Sequence, residues 1–136
     1  MRILIADDDL ALSHLLERRL REQGYEVMVA RDAIQAWQLA QREKPDLVVL
    51  DIHMPGGSGL AVLRRLKNNL NTRSVSVIVV TAAEDQSILQ QVLALRPDAL
   101  LRKPLRLADL DFEISRLLVA RELARSVASR PPKGAA

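Results

Sequence analysis

The sequence predicts an α/β fold: one doubly wound sheet of five parallel strands, with helices on both faces. Two observations carry this reading. Five short apolar runs alternate with segments whose apolar residues recur three and four apart. Three of the runs, ILIA, DLVVL and VSVIVV, are continuously apolar past their first residue or two, as strands covered on both faces must be. Right-handed crossovers then give the flavodoxin-like strand order 2-1-3-4-5. In that order the first and third strands meet at a topological switch point, and ligands bind outside the carboxyl ends of the strands there.

The strands are read at 3–6 (ILIA), 25–30 (YEVMVA), 46–50 (DLVVL), 75–80 (VSVIVV) and 98–102 (DALLR). The first helix, 10–23, places Leu12, Leu15, Leu16 and Leu20 at helical spacing and closes on Gly24 as its C′ residue. The second, 33–43, carries Ala33, Ala36, Trp37 and Ala40 between an Asp32 N-cap and Pro45. The third, 59–69, has Leu60, Leu63 and Leu66 behind a Ser58 N-cap. The fourth, 85–96, has Ile88, Val92 and Leu95 before Pro97. The last runs from about Leu107 to Ala128 with Leu110, Ile114, Leu117 and Leu118, close to 30 Å of helix at ~1.5 Å per residue. Its spacing continues to Arg121 and Ala124, where it turns polar, so it reads as a core helix running on into a connector rather than a coiled coil. SRPPKGAA, 129–136, is the one low-complexity segment and reads as a disordered end or linker.

Length and composition exclude other classes. The chain has 136 residues, 49% of them hydrophobic, which suits one domain with one core. It has no cysteine, which excludes a disulfide scaffold and a thiolate metal site and fits a reducing compartment. No run reaches membrane-span length, and MRILIADDD lacks the long apolar region of a signal peptide, so a cytoplasmic location is expected. The net charge of +3 is uneven: from Ser115 onward there are five basic groups against one acidic, leaving 15 basic and 16 acidic in the first 114 residues. With Tyr25, Trp37 and Phe112 as the whole aromatic set, a basic nucleic-acid-reading face is not expected.

The residues at the carboxyl ends carry the chemistry. Asp7, Asp8 and Asp9 follow the first strand, Asp51 the third, Thr81 the fourth, and Lys103 and Pro104 the fifth. Each has a plain structural use taken singly: an aspartate after a strand is commonly a helix N-cap, and Asp9 is read as one. Together they bring carboxylates, a hydroxyl and an amine to one rim. Clustered carboxylates repel and push one another toward protonation, a conflict that a hard divalent cation removes. A few carboxylates with carbonyls and waters suit Mg²⁺. Metal, ammonium and hydroxyl around one carboxylate are what phosphoryl transfer onto that carboxylate requires.

LIADDD, DLVVLDIHMPGGSGL, VIVVTAA and LLRKPL together resemble the receiver domain of bacterial two-component response regulators, over residues 1–120, with 121–136 as a helix extension and linker or tail. The resemblance implies that Asp51 is phosphorylated by a histidine kinase or phosphotransfer protein. It implies Mg²⁺ held directly by Asp8, through water by Asp7, and by Asp51 and the backbone carbonyl of His53. Thr81 and Lys103 would contact the phosphoryl group, and Pro55 and Gly59 match the family's loop after the phosphorylated strand. Such a domain catalyses only its own phosphorylation and dephosphorylation. The face made by the fourth helix, fifth strand and fifth helix would change on phosphorylation, and in the family it often dimerises. An output domain joined after PPKGAA and a stand-alone receiver both remain open.

Four departures from the family stand out. Gly57 and Ser58 replace a usual Met-Asp, which should loosen the loop. Leu100 replaces the Tyr or Phe whose ring reports phosphorylation, and Leu105 a frequent aromatic. The two positions that tune dephosphorylation hold His53 and Ala83, and Ala83 cannot orient a water, so slow to moderate self-dephosphorylation is expected. Two other functions share parts of this pattern. One is a receiver-like docking module that no longer cycles phosphate. The other is an aspartate-nucleophile phosphohydrolase, for which the pair of acids after the lysine strand is missing. A Rossmann nucleotide site fails for want of Gly-x-Gly-x-x-Gly after the first strand.

Overall fold

The computed structural model describes residues 1–55, 57–82 and 84–128. Its elements run β1 (Arg2–Ala6), α1 (Leu10–Glu22), β2 (Glu26–Ala30), α2 (Ala33–Glu43), β3 (Leu47–Asp51), α3 (Gly59–Asn68), β4 (Ser76–Thr81), α4 (Gln86–Ala94), β5 (Ala99–Arg102) and α5 (Leu107–Ala128). The five strands form one parallel sheet in the order β2-β1-β3-β4-β5. The expected topology is thus the observed one.

The alternation of side chains along each strand builds two cores. Leu4, Ala6, Val48, Leu50, Val77 and Val79 face α2, α3 and α4, meeting Ala36, Ala40, Leu63, Leu66 and Val92. Ile3, Ile5, Leu47, Val49, Ile78 and Val80 face α1 and α5, meeting Leu16, Leu20, Leu110, Ile114 and Leu117. β1, β3 and β4 are buried almost throughout, which is why their sequences are continuously apolar. β5 lies at the edge and is only partly covered.

Helix ends follow their sequence signals. Asp9, Asp32 and Ser58 sit in extended backbone and accept from the N–H of Leu12, Gln35 and Leu60. Asp85 caps α4, accepting from Ser87 N–H. Gly24 has φ of +95°, the left-handed conformation expected of a C′ glycine. Lys44 takes the same conformation, φ +47°, just before Pro45 ends the path of α2.

Both β3 and β4 reach one residue further than the apolar runs suggest. Asp51 pairs in register with Val80, and Thr81 with Arg102. The parallel ladder carries a polar residue at its end because both sides of that residue are still covered: Asp51 is 5% exposed and Thr81 0%. The sheet therefore holds these two side chains on rigid backbone at the rim.

Candidate functional site at the carboxyl rim

Two buried carboxylates and one ammonium form the centre of the rim. Lys103, one residue past β5, donates from Nζ to Asp7 Oδ2 at 3.1 Å and to Asp51 Oδ2 at 3.3 Å. The other oxygen of each acid takes a backbone donor. Asp9 N–H donates to Asp7 Oδ1 at 2.9 Å, and His53 N–H donates to Asp51 Oδ1 at 3.1 Å. Each acid is thus oriented by a turn of its own chain and tied to the other through Lys103. Buried charge is tolerated here because it is paired and hydrogen-bonded.

Asp8 completes the cluster from solvent. One oxygen from each of Asp7, Asp8 and Asp51 lies within 4.8 Å of the other two, with Asp8 exposed. One ammonium against three carboxylates leaves the group net negative if all three ionise. The Asp51 carboxyl is raised above its ordinary value. Burial is the main cause; the His53 N–H opposes it, the charge of Asp7 adds to it, and Lys103 opposes it again. For Lys103 burial acts to lower the ammonium, but its hydrogen bonds and charges to Asp7 and Asp51 outweigh that and hold it above its ordinary value.

Local structure fixes these positions. Ser13, buried on the inner face of α1, donates its hydroxyl to the backbone carbonyl of Asp7 at 3.1 Å. Lys103 N–H donates to Thr81 carbonyl at 2.9 Å, holding the β5 end beside the β4 end. The Lys103–Pro104 peptide is cis. After Asp51 the chain folds back in a two-residue antiparallel ladder, His53–Met54 against Gly57–Ser58. Gly59 N–H closes it on Ile52 carbonyl at 2.8 Å, and Pro55 carbonyl accepts from Ala33 N–H at 3.1 Å. Gly59 has a steric reason: a Cβ there would fall 2.1 Å from Asp51 carbonyl oxygen and 2.6 Å from Ile52 Cα.

The structure thus gathers Asp7, Asp8, Asp51 and Lys103, with buried Thr81 at the end of the adjacent strand. His53 exposes its side chain and reaches the site through its backbone. Leu100 is half-buried against the α2–α4 core, paired in register with Val79. Ala83 lies outside the described residues, as do 129–136. Sequence reading missed Ser13 as the residue that holds the Asp7 backbone. Its signal was a hydroxyl at helical spacing from Leu16 and Leu20, on a stripe otherwise apolar. It also missed the ladder, since two-residue strands carry no periodicity to read.

Comparison with known proteins agrees. The family model for the response regulator receiver domain matches residues 3–115. The chain is 38% identical over 104 residues to response regulator PleD of Caulobacter vibrioides, covering 76% of this chain and 23% of that protein. It is 37% identical over 118 residues to response regulator MprA of Mycobacterium leprae, covering 87% of this chain and 51% of that one. It therefore spans about a quarter and about half of these relatives. Among solved structures, a CheY-like response regulator receiver domain protein from Methanospirillum hungatei superposes with a TM-score of 0.84 at 28% identity, covering 90% of this chain and 97% of that one. The Mn(2+)-bound form of response regulator Rcp1 superposes with a TM-score of 0.71 at 27% identity, covering 80% of this chain and 85% of that one. With 113 of its 136 residues inside the matched span, the chain belongs to the response regulator receiver domain family of bacterial two-component systems.

Proposed function

We propose that this chain is a phosphoacceptor switch whose acceptor is Asp51. The observation that supports this most is the shared ammonium: Lys103 bridges Asp7 and Asp51 at the rim, beside a third carboxylate. A carboxylate oxygen of Asp51 attacks the phosphorus of a phosphohistidine on a sensor kinase or phosphotransfer protein. A P–O bond forms, the P–N bond breaks, and its electron pair leaves on the imidazole nitrogen. Lys103 neutralises charge on the phosphoryl oxygens, and Thr81 donates its hydroxyl to one of them. Later a water attacks the same phosphorus, the P–O bond to Asp51 breaks, and inorganic phosphate leaves with one proton released to solvent. Release is slow to moderate, because Ala83 offers no group to orient that water and His53 alone stands at the other tuning position.

The oxygen-only donor set and its excess negative charge fit Mg²⁺. Asp8 and Asp51 would hold it directly, Asp7 through water, and the His53 carbonyl would complete the protein ligands. Such an ion would supply charge neutralisation on the transferring group. The manganese form of Rcp1 supports a divalent cation in this fold. Phosphorylation would then alter the α4–β5–α5 face and control an output domain or partner in the cytoplasm, through contacts other than an aromatic at Leu100.

The test is incubation with acetyl phosphate and Mg²⁺, read by intact mass. One added phosphoryl group is expected on the native chain, and none with chelator or with Asp51→Asn. An unmodified native chain would leave the docking-module reading standing. Rapid multiple-turnover release of phosphate would favour the phosphohydrolase.

A further inference from the structure

The edge of the sheet opposite the carboxyl rim holds a second polar site. Beside the amino-terminal ends of β3 and β4 lies a cavity of about 210 Å³, walled by the end of α2, the connection between α3 and β4, and the far half of α5. Leu66 and Val75 supply apolar lining and are themselves buried. Lys44, Arg121 and Arg125 line it with Asp46 as the one acid, a surplus of two positive charges.

The acid cannot serve all three cations. Asp46 Oδ2 accepts from Arg2 N–H at 2.8 Å, and its Oδ1 from Arg125 Nη2 at 2.5 Å. Arg121 Nη2 stands 3.8 Å from the same Oδ1, too far for a hydrogen bond. Glu43, next to Lys44 in the chain, pairs instead with Arg2 and Arg42.

Three groups at the cavity therefore keep donors to give. Arg121 donates from Nη1 to Ser74 carbonyl at 2.6 Å, but its Nε–H is buried with no acceptor. A guanidinium cannot shed that proton in a protein, and a buried donor left unmet is costly. The Lys44 ammonium makes no ion pair or hydrogen bond among the described residues, while a left-handed backbone, φ +47°, fixes its position at the end of α2. Asn71 donates its backbone N–H to Asn69 and leaves its side-chain amide unengaged.

We propose that this cavity binds a small oxyanion of the size of phosphate, held by Arg121, Lys44 and Asn71. An oxyanion is the acceptor that all three lack, and it offsets the surplus charge. The space is several times the ~30 Å³ share of one water, yet below the ~300 Å³ at which pockets for larger ligands begin, so it suits the free ion and not a nucleotide. Bound there, the ion ties the end of α2 and the approach to β4 to Arg121, adding to the hold of Asp46 on the α5 extension. The carboxyl rim, with three carboxylates against one ammonium, repels such an ion in the absence of metal.

Two-dimensional amide NMR of the 136-residue chain tests this, by titration with inorganic phosphate in the presence of chelator, at an ionic strength held constant with sodium chloride. Saturable shifts are expected at residues 44, 71–74 and 121–125, with the amides of Asp7, Asp51 and Lys103 unmoved. Lys44→Gln should weaken binding at least about tenfold, as loss of one charged hydrogen bond implies. Arg121→Lys should weaken it as much, because lysine keeps the charge and loses the fork of donors. The same spectra show whether each variant keeps the native fold, and Lys44 is exposed, so its replacement leaves the core untouched. Shifts that grow linearly without saturating, saturation centred on the carboxyl rim, or binding indifferent to Lys44→Gln would each overturn the proposal.

Discussion

Asp51 is held by four influences that do not cancel: burial, the His53 N–H, the charge of Asp7 and the ammonium of Lys103. Because burial wins, its carboxyl is harder to ionise in the folded chain than in the unfolded one. Between its ordinary value and its raised one, the unfolded state has released a proton that the folded state keeps, so stability falls as pH rises through that window. Without metal, Asp51→Asn is therefore expected to raise the thermal midpoint at neutral pH. The gain should vanish below the ordinary carboxylate range, as read by circular dichroism melts across pH. Mg²⁺ should raise the midpoint of the native chain in chelator-free buffer, and Asp8→Asn should abolish that rise. Gly59→Ala should destabilise by about 3 kcal/mol or more, read by urea unfolding, because the added methyl meets backbone rather than a movable side chain. The acids and Lys103 were legible in the sequence because their types and their places after apolar runs imply one rim. That Gly59 is required by the Asp51 carbonyl was not, since close backbone approach leaves no pattern in composition.

Among the elements, α5 departs most from what its sequence pattern suggests. Its inner stripe turns polar at Arg121, yet the helix continues to Ala128 because Arg121 and Arg125 are long enough to reach Asp46, at the entrance of β3. Ion pairs between residues 79 apart have no local signature, so the anchoring of this extension could not be read from spacing. Asp46 itself is pulled below its ordinary value. Burial opposes this, but the Arg2 N–H and the guanidinium groups of Arg125 and Arg121 prevail. The sign is thus opposite to that of Asp51: Asp46 contributes stability above the ordinary carboxylate range, lost as pH falls through its folded value. Asp46→Ala should cost about 2 kcal/mol at neutral pH, since Arg2 N–H and the Arg125 guanidinium lose an acceptor. Hydrogen exchange should show the loss concentrated in residues 119–128. By contrast, the helix starts at Asp9, Asp32 and Ser58 were fully legible, because capping is a local matter between residues two or three apart.

At the scale of the molecule, parallel strand order does the gathering. Asp7, Asp51, Thr81 and Lys103 are spread over 97 residues of chain, yet all four stand at the same ends of β1, β3, β4 and β5. The order 2-1-3-4-5 is one of the two common orders that alternation and handedness allow, and in it Asp7 and Asp51 meet at the switch point. What alternation does not convey is orientation within the rim: the shared ammonium, the two backbone donors, and the ladder that folds the chain back over Asp51. Those depend on turns of two or three residues. Among the described residues no helix is long and apolar enough to cross a membrane. Both sheet faces are used for packing, and the carboxyl rim is where Asp7, Asp8 and Asp51 converge on the one ammonium of Lys103. The central claim is that this convergence makes Asp51 the phosphoryl acceptor. Borohydride reduction after treatment with acetyl phosphate and Mg²⁺ tests it most directly, because it converts an aspartyl phosphate to homoserine in place. Peptide mass mapping should find homoserine at position 51 and aspartate at 7, 8 and 9. Homoserine at any of those three positions, or at none, would contradict the account.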